Sequence, residues 1–191
     1  MNGILITALV FLFIVFFALY SIYANLIKAR NKVQEAFSSV DVQMQKRYDL
    51  IPNILTIAQK FLDHEKGLMN EITELRTQAM KLKNGLNNIN KKIEIDKEFT
   101  DKMGQFMIAV ENYPQLKSDQ TMVTAMQSYN EVEEHISAAR RFYNSAANEL
   151  KNAVEIFPSS VIASMLNIKA YGFFKADERA KKSINASDYL K

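Results

Sequence analysis

The residues of this chain able to do chemistry are few. His64 stands between Asp63 and Glu65, a combination that could ligate a metal or act as a general base. A metalloprotease helix needs a second histidine four residues after the first, and position 68 is Leu, so the ligand count favours a capping or surface role. His135 follows Glu131, Glu133 and Glu134. A di-iron bundle requires two Glu-x-x-His pairs facing each other. Position 132 is Val and no second pair exists, so these acids read as a solvated helix face. Two scattered histidines give no basis for a Ser-His-Asp arrangement. With no cysteine, disulfide scaffolds, thiolate metal sites, cysteine nucleophiles and lipid anchors on cysteine are excluded. The 5 glycines do not cluster, so no phosphate-cradling loop can form. Of the 9 methionines, Met44, Met103 and Met126 occupy core positions of helical repeats, where gap-filling is a better account than copper binding. The basic pairs Lys46-Arg47 and Arg140-Arg141 could bind phosphate or lipid headgroups. On a helix surface near Asp49, Glu133 or Glu134 such pairs are more often salt-bridged or solvated. We therefore expect no catalytic residue, no cofactor and no metal, and a protein that is not an enzyme.

The elements that carry these residues follow from the charge distribution. The chain has 191 residues, 24 of them basic and 21 acidic, with a net charge of +3. So small a charge excludes nucleic acid as the main partner. Residues 1–27 contain no charged side chain. Ile4 to Ile22 is almost wholly apolar. As a helix it spans roughly 28 Å, close to the hydrocarbon thickness of a bilayer. Tyr20 and Tyr23 lie at its end, where aromatic rings sit between tails and headgroups. A cleaved signal would want a basic start, a shorter apolar core and a small-residue cleavage site. Met1-Asn2-Gly3 and the run from Phe11 to Phe17 supply none of these, so the segment reads as a retained anchor. Lys28, Arg30 and Lys32 follow the span and no basic side chain precedes it. The positive-inside rule places the N-terminus outside and the body in the cytoplasm.

Beyond the anchor, apolar residues recur in steps of three and four, the pattern of helices packed side by side as in coiled coils. One series runs Val33, Phe37, Val40, Met44, Tyr48, Ile51, Leu55, Ala58, Leu62, with an irregular step at Tyr48. A second runs from Leu68 to Ile93, a third from Phe99 to Tyr113, and a fourth from Met126 to Phe157. Pro52 implies a turn or a kink in the first. Asn84 to Asn90 marks a connection. Pro114 stops the third helix, Ser118 or Asp119 can cap the fourth, and Pro158 stops it. Ser159 or Ser160 can then cap a short helix through Val161–Ile168. Four such stripes with short connections predict an all-α fold: an N-terminal transmembrane helix continuing into an antiparallel, up-and-down four-helix bundle. The expected domains are an anchor over 1–27, a bundle over 28–174 and a polar C-terminal tail over 175–191.

The same segments resemble a family. Asp41-Val42-Gln43, then Arg47-Tyr48-Asp49-Leu50-Ile51-Pro52-Asn53-Ile54, is similar to the hallmark of the LemA family. So are His64-Glu65, Tyr113-Pro114-Gln115-Leu116-Lys117, Ala139-Arg140-Arg141-Phe142-Tyr143-Asn144, Phe157-Pro158, and Ile168-Lys169 followed by Phe173-Phe174. The resemblance covers roughly Tyr23 to Glu178, and the Asn-rich stretch Asn84–Lys92 departs from it. It implies a bacterial protein anchored in the inner or cell membrane by a single pass, with a cytoplasmic four-helix bundle. It carries over no catalytic residue. It suggests a membrane metalloprotease of the HtpX type as a partner and, through some relatives, a part in membrane remodelling; the apolar span adds the lipid bilayer, and the helix faces allow further copies of the chain.

Arg47, Tyr48, Asp49 and Asn53 cluster beside Pro52, while Arg140, Arg141, Tyr143 and Asn144 lie midway along the fourth helix. We expect the two groups to meet, with an Arg–Asp pair and Tyr or Asn hydrogen bonds relieving the irregularity at Pro52. Phe173 and Phe174 are candidate contacts, although their area also suits closing the core. The functional expectation is a non-enzymatic, membrane-anchored scaffold or interaction protein. The alternative is a lipid-binding oligomer that remodels membranes.

Overall fold

The computed structural model describes residues 2–62, 64–82 and 85–174; the tail expected over 175–191 lies outside the described residues. In chain order the elements are α1 (Asn2–Ala58), α2 (Lys66–Lys81), a 3-10 turn (Leu86–Asn88), α3 (Ile89–Glu111), α4 (Pro114–Ser118), α5 (Gln120–Glu155) and α6 (Ser159–Met165). The fold is all-α, with no strand among the described residues.

Helix α1 has 57 residues, about 85 Å at the rise of an α-helix. Nothing between Ile22 and Val33 breaks it, as the sequence predicts. Its two parts differ in surroundings. Residues 3–20 are all exposed, burial begins at Ser21 and Ile22, and Leu26 is the first residue fully covered. From there Val33, Phe37, Val40, Met44, Ile51, Ile54 and Ala58 form a buried stripe. The exposed part is long and apolar enough to cross a membrane. So large a contiguous apolar surface is not sustained in water.

The chain neither turns nor stops at Pro52; α1 runs through it. Proline has no N–H to donate to the carbonyl four residues earlier, which is that of Tyr48. Arg76 on α2 takes its place, donating from Nε to the Tyr48 carbonyl at 2.7 Å. The irregularity is thus satisfied by a neighbouring helix and not by the Tyr or Asn side chains expected from the sequence.

Helices α1 and α5 pack along each other. Lys32 meets Glu149, Phe37 meets Tyr143 and Arg47 meets Glu133. Residue number rises on α1 as it falls on α5, so the two run antiparallel. Helix α2 lies against α3, with an ion pair between Glu71 and Lys102. The Asp119 carboxylate caps α5 by accepting the Met122 N–H at 2.9 Å, whereas the Ser118 hydroxyl bonds back to Pro114 and Gln115. Neither Ser159 nor Ser160 caps α6; the Ser159 hydroxyl donates to the Ile156 carbonyl. That helix also ends before Ile168. Asn167 takes a left-handed conformation (φ 52°), and the amides of Asn167 and Ile168 bond to Ser164 and Ala163, the Schellman arrangement.

Candidate functional site

Strict alternation of steps along α1, from Val33 through Phe37, Val40 and Met44, lands on Arg47 and then Ile51. Arg47 therefore projects where apolar side chains project, and it is 0% exposed. A buried guanidinium is tolerated only beside carboxylates that compensate its charge. Two do so. Nη2 bonds Asp96 Oδ1 at 2.7 Å and Nη1 bonds Glu133 Oε1 at 2.9 Å. The Tyr48 hydroxyl accepts from Nη2 at 3.3 Å. The guanidinium carbon lies 4.6 Å from the centre of the Phe99 ring, which meets Tyr48 edge-on at 5.2 Å.

Asp96 on α3 is 4% exposed. Its second oxygen accepts from Arg140 Nη2 on α5, so one carboxylate joins α1, α3 and α5. One turn earlier on α3, the buried Lys92 pairs with Asp41 of α1 and lies 5.5 Å above the Phe37 ring. The charges of Arg47, Arg140, Asp96 and Glu133 balance. The Nε atoms of Arg47 and Arg140 and Oε1 of Gln43 are buried without a hydrogen-bond partner among the described residues.

The electrostatics fix the protonation states. Burial alone would lower the pKa of Arg47, but Asp96 and Glu133 outweigh it and raise the pKa well above the ordinary value. Burial raises the phenol of Tyr48, against the pull of Arg47. It raises Tyr129 too, with Glu133 adding to the effect, and Tyr143, with Tyr171 adding. These shifts lead away from neutrality, so the groups keep their protons at neutral pH. The sign for stability follows. Above about pH 10, phenols of the unfolded chain ionise, whereas these three resist in the folded state. Stability fully present below that pH is therefore lost as pH climbs beyond it. In an alkaline titration followed by phenolate absorbance and circular dichroism, three of the 8 tyrosines should ionise only as helix is lost. Ionisation of every tyrosine with the helices intact would contradict this.

A strap covers the node. After α6 the chain runs irregularly from Ile168 to Phe174 beside α5. The Tyr143 hydroxyl donates to the Gly172 carbonyl at 2.8 Å. The Asn144 amide makes a two-way clamp, donating to the Phe174 carbonyl at 2.8 Å and accepting its N–H at 3.0 Å. The Phe174 ring meets Tyr143 edge-on at 5.3 Å and lies 5.5 Å from the Arg140 guanidinium carbon. At Gly172 an added Cβ would stand 2.6 Å from Asn90 Oδ1 on α3, so that exposed side chain would have to turn aside.

The structure divides the residues singled out in the sequence. Arg47, Tyr48, Arg140, Tyr143, Asn144 and Phe174 come together at the node and strap. Asp49 does not join them; it is exposed and accepts from Gln45 on its own helix at 2.9 Å, and Asp96 makes the arginine pairs instead. Pro52 is exposed. Asn53 lines an open groove of about 670 Å³ with Leu50, Ile54, Gln120 and Thr124. Arg141 is exposed and donates to Ser137, and Phe173 faces outward. Ile4 is exposed and Ile22 half-buried, at either end of the apolar stretch. His64 is exposed, and His135 lies 4.0 Å from Glu131. Asp96 and Lys92 were missed. Their signal was available: stepping the α3 series back from Phe99 by three and then four lands on both. Arg140→Ala should therefore lower the melting temperature, by about 2–4 kcal/mol of stability, for loss of a largely buried partner of Asp96. Arg141→Ala should stay within about 0.5 kcal/mol. Thermal unfolding of the two variants side by side checks both.

A sequence model of the LemA family matches residues 36–187. The chain belongs to the LemA family. The match runs further toward the C-terminus than the residue-level resemblance. Among curated relatives, Protein LemA of Metamycoplasma hominis is 22% identical over 187 residues, covering 93% of this chain and 84% of that protein. Magnetosome proteins MamQ 1 and MamQ 2 of Paramagnetospirillum magneticum are each 22% identical over 175 residues, covering 80% of this chain. This LemA-family chain spans 64% of the length of either MamQ protein.

Proposed function

We propose that the chain is a non-enzymatic, membrane-anchored helical scaffold. Its apolar span leads into an antiparallel up-and-down bundle of α1, α2, α3 and α5 that presents helix faces to a partner. The observation that carries this is the continuity of α1, one helix whose first third lies exposed and apolar and whose remainder supplies the core of the body. The node supports it, because its charges neutralise one another and link three helices. A polar group at a core position is best attested as a device that fixes helix register.

On this reading Arg47, Tyr48, Arg140, Tyr143, Asn144 and Phe174 are structural. Asp49, Asn53, Arg141 and Phe173 face outward and belong to the contact surface. The basic flank Lys28, Arg30 and Lys32 supports a cytoplasmic side for the body. The partner is a membrane protein, such as a metalloprotease of the HtpX type, or another copy of the chain. Crosslinking and affinity isolation from native membranes, with the mass of the complex measured in detergent, tests this. A discrete partner or a defined oligomer is expected, and substitutions at Asp49, Asn53 or Arg141 should weaken it without changing the melting temperature. A strict monomer that crosslinks to nothing overturns the reading. Tubulation of liposomes by the purified protein replaces it with membrane remodelling.

A further inference from the structure

We infer that the corner between α5 and α6 is a second membrane contact, which sets its apolar side chains into the boundary between headgroups and acyl chains beside the span of α1. The inference rests on reading the exposed part of α1 as a membrane span, and goes beyond it by adding a separate contact site.

The first ground is position. Extending the α1–α5 register set by Lys32–Glu149, Phe37–Tyr143 and Arg47–Glu133 brings Ile156 level with residues 23–25. That is within one helical turn of Ile22, where the apolar stretch ends. Helix α6 also packs against α1. The corner is therefore held at the membrane-facing end of the body, level with Tyr23 and about one turn from Tyr20.

The second ground is composition. From Ile156 to Ile168 there is no charged side chain; charges resume only at Glu155 and Lys169. Outside the first 27 residues no other uncharged run is as long.

The third ground is which side chains face out. On α6, Ala163 is buried and Ile162 half-buried, so the helix has a face committed to the body. Val161 and Met165, one turn apart on the other face, are exposed, Met165 at 82%. Phe157 is 78% exposed, and Ile156 and Leu166 join them. Five exposed large apolar side chains within eleven residues, on a surface otherwise sparing of them, mark a contact. A surface with an uncharged apolar side and a covered side, placed at the interface, is what partial immersion of about 5–10 Å requires. The bilayer is the occupant because the adjoining helix leads directly into it. Elsewhere on the body the exposed large apolar residues, among them Val42 and Ile108, fall singly along the sequence and not in a run.

The absence of cysteine makes each introduced thiol unique. The full chain, reconstituted in vesicles of phosphatidylcholine and phosphatidylglycerol, is labelled with an environment-sensitive fluorophore through Phe157→Cys, Met165→Cys, Phe13→Cys or Ile108→Cys. The probes at 157 and 165 should be quenched roughly twofold by lipids carrying a nitroxide near the headgroup, as shallow insertion requires. The probe at 13 should be quenched best by a deep nitroxide, and that at 108 by neither. If 13 is quenched and 157 and 165 behave like 108, the corner contact is wrong and the span stands. If 13 is not quenched, both fall. Blue-shifted emission at 157 and 165 without quenching means that protein covers the corner, and also overturns the inference.

Discussion

Asp96→Leu is expected to be the most damaging single substitution in the body of this protein. It removes the carboxylate that Arg47 and Arg140 share and leaves Arg47 buried, with Glu133 as its one remaining carboxylate. Breaking a buried pair from one side costs about 3–5 kcal/mol, because the stranded charge cannot reach water. Glu133 is partly exposed (27% for its side chain) yet still bonded to Arg47, which places the loss at the lower end. For a body of this size each kcal/mol shifts the midpoint by about 2–4 °C, so a loss near 3 kcal/mol should lower thermal unfolding in detergent by roughly 6–12 °C. The sharper test is the double replacement Arg47→Met with Asp96→Leu. Removing both charges removes the desolvation penalty as well, so the double variant should melt above Asp96→Leu alone. If the single variant melts within about 1 kcal/mol of the parent, the node holds nothing together.

Phe174→Ala is the second large effect, at about 3–5 kcal/mol for truncating a buried aromatic ring. The strap is not a helix and can settle into part of the space left, which favours the lower figure. The adjacent Phe173→Ala should stay within about 1 kcal/mol, because that ring is already 38% exposed. The pair is informative because the sequence presents both phenylalanines alike. Asn144→Leu should fall between them, near 1–3 kcal/mol, since it leaves the N–H and carbonyl of Phe174 without their partners. Circular dichroism melts of the three variants should rank them in that order. An equal loss from both phenylalanines would mean that the strap does not seat as described.

Much of the fold was legible because apolar spacing and helix breakers are local signals. The Asp119 cap, the stops at Pro114 and Pro158, and the unbroken passage from the apolar stretch into the body all follow from neighbouring residues. The node was harder for a physical reason: its members are brought together by packing between helices. Even so, the irregular step at Tyr48 was informative. The regular heptad seat is position 47, and an arginine occupies it. Asp96 and Lys92 likewise sit on the stripe that Phe99 and Met103 begin, where an apolar residue is expected and a charge signals a partner. What could not be read was which carboxylate meets which arginine. Asp49 is close to Arg47 in sequence but points away from it, and Asp96 is 49 residues distant. The donor that completes Pro52 was equally out of reach, because Arg76 belongs to another helix.

The unbroken length of α1 sets distances as well as connections. From Ile22 to Asn53 the helix rises about 46 Å, and a bond from α2 bridges the one gap in its ladder. A helix of that kind works as a ruler. With the apolar stretch in the bilayer and the corner at its surface, as proposed, the groove lined by Asn53 would stand at a set height above the lipid and the α5–α6 corner at nearly none. Tilting the anchor by 20°, common for single spans, would swing the groove sideways by roughly 16 Å while scarcely moving the corner. On that reading the thickness of the surrounding bilayer, through the tilt, would set which neighbours the far end of the body can reach.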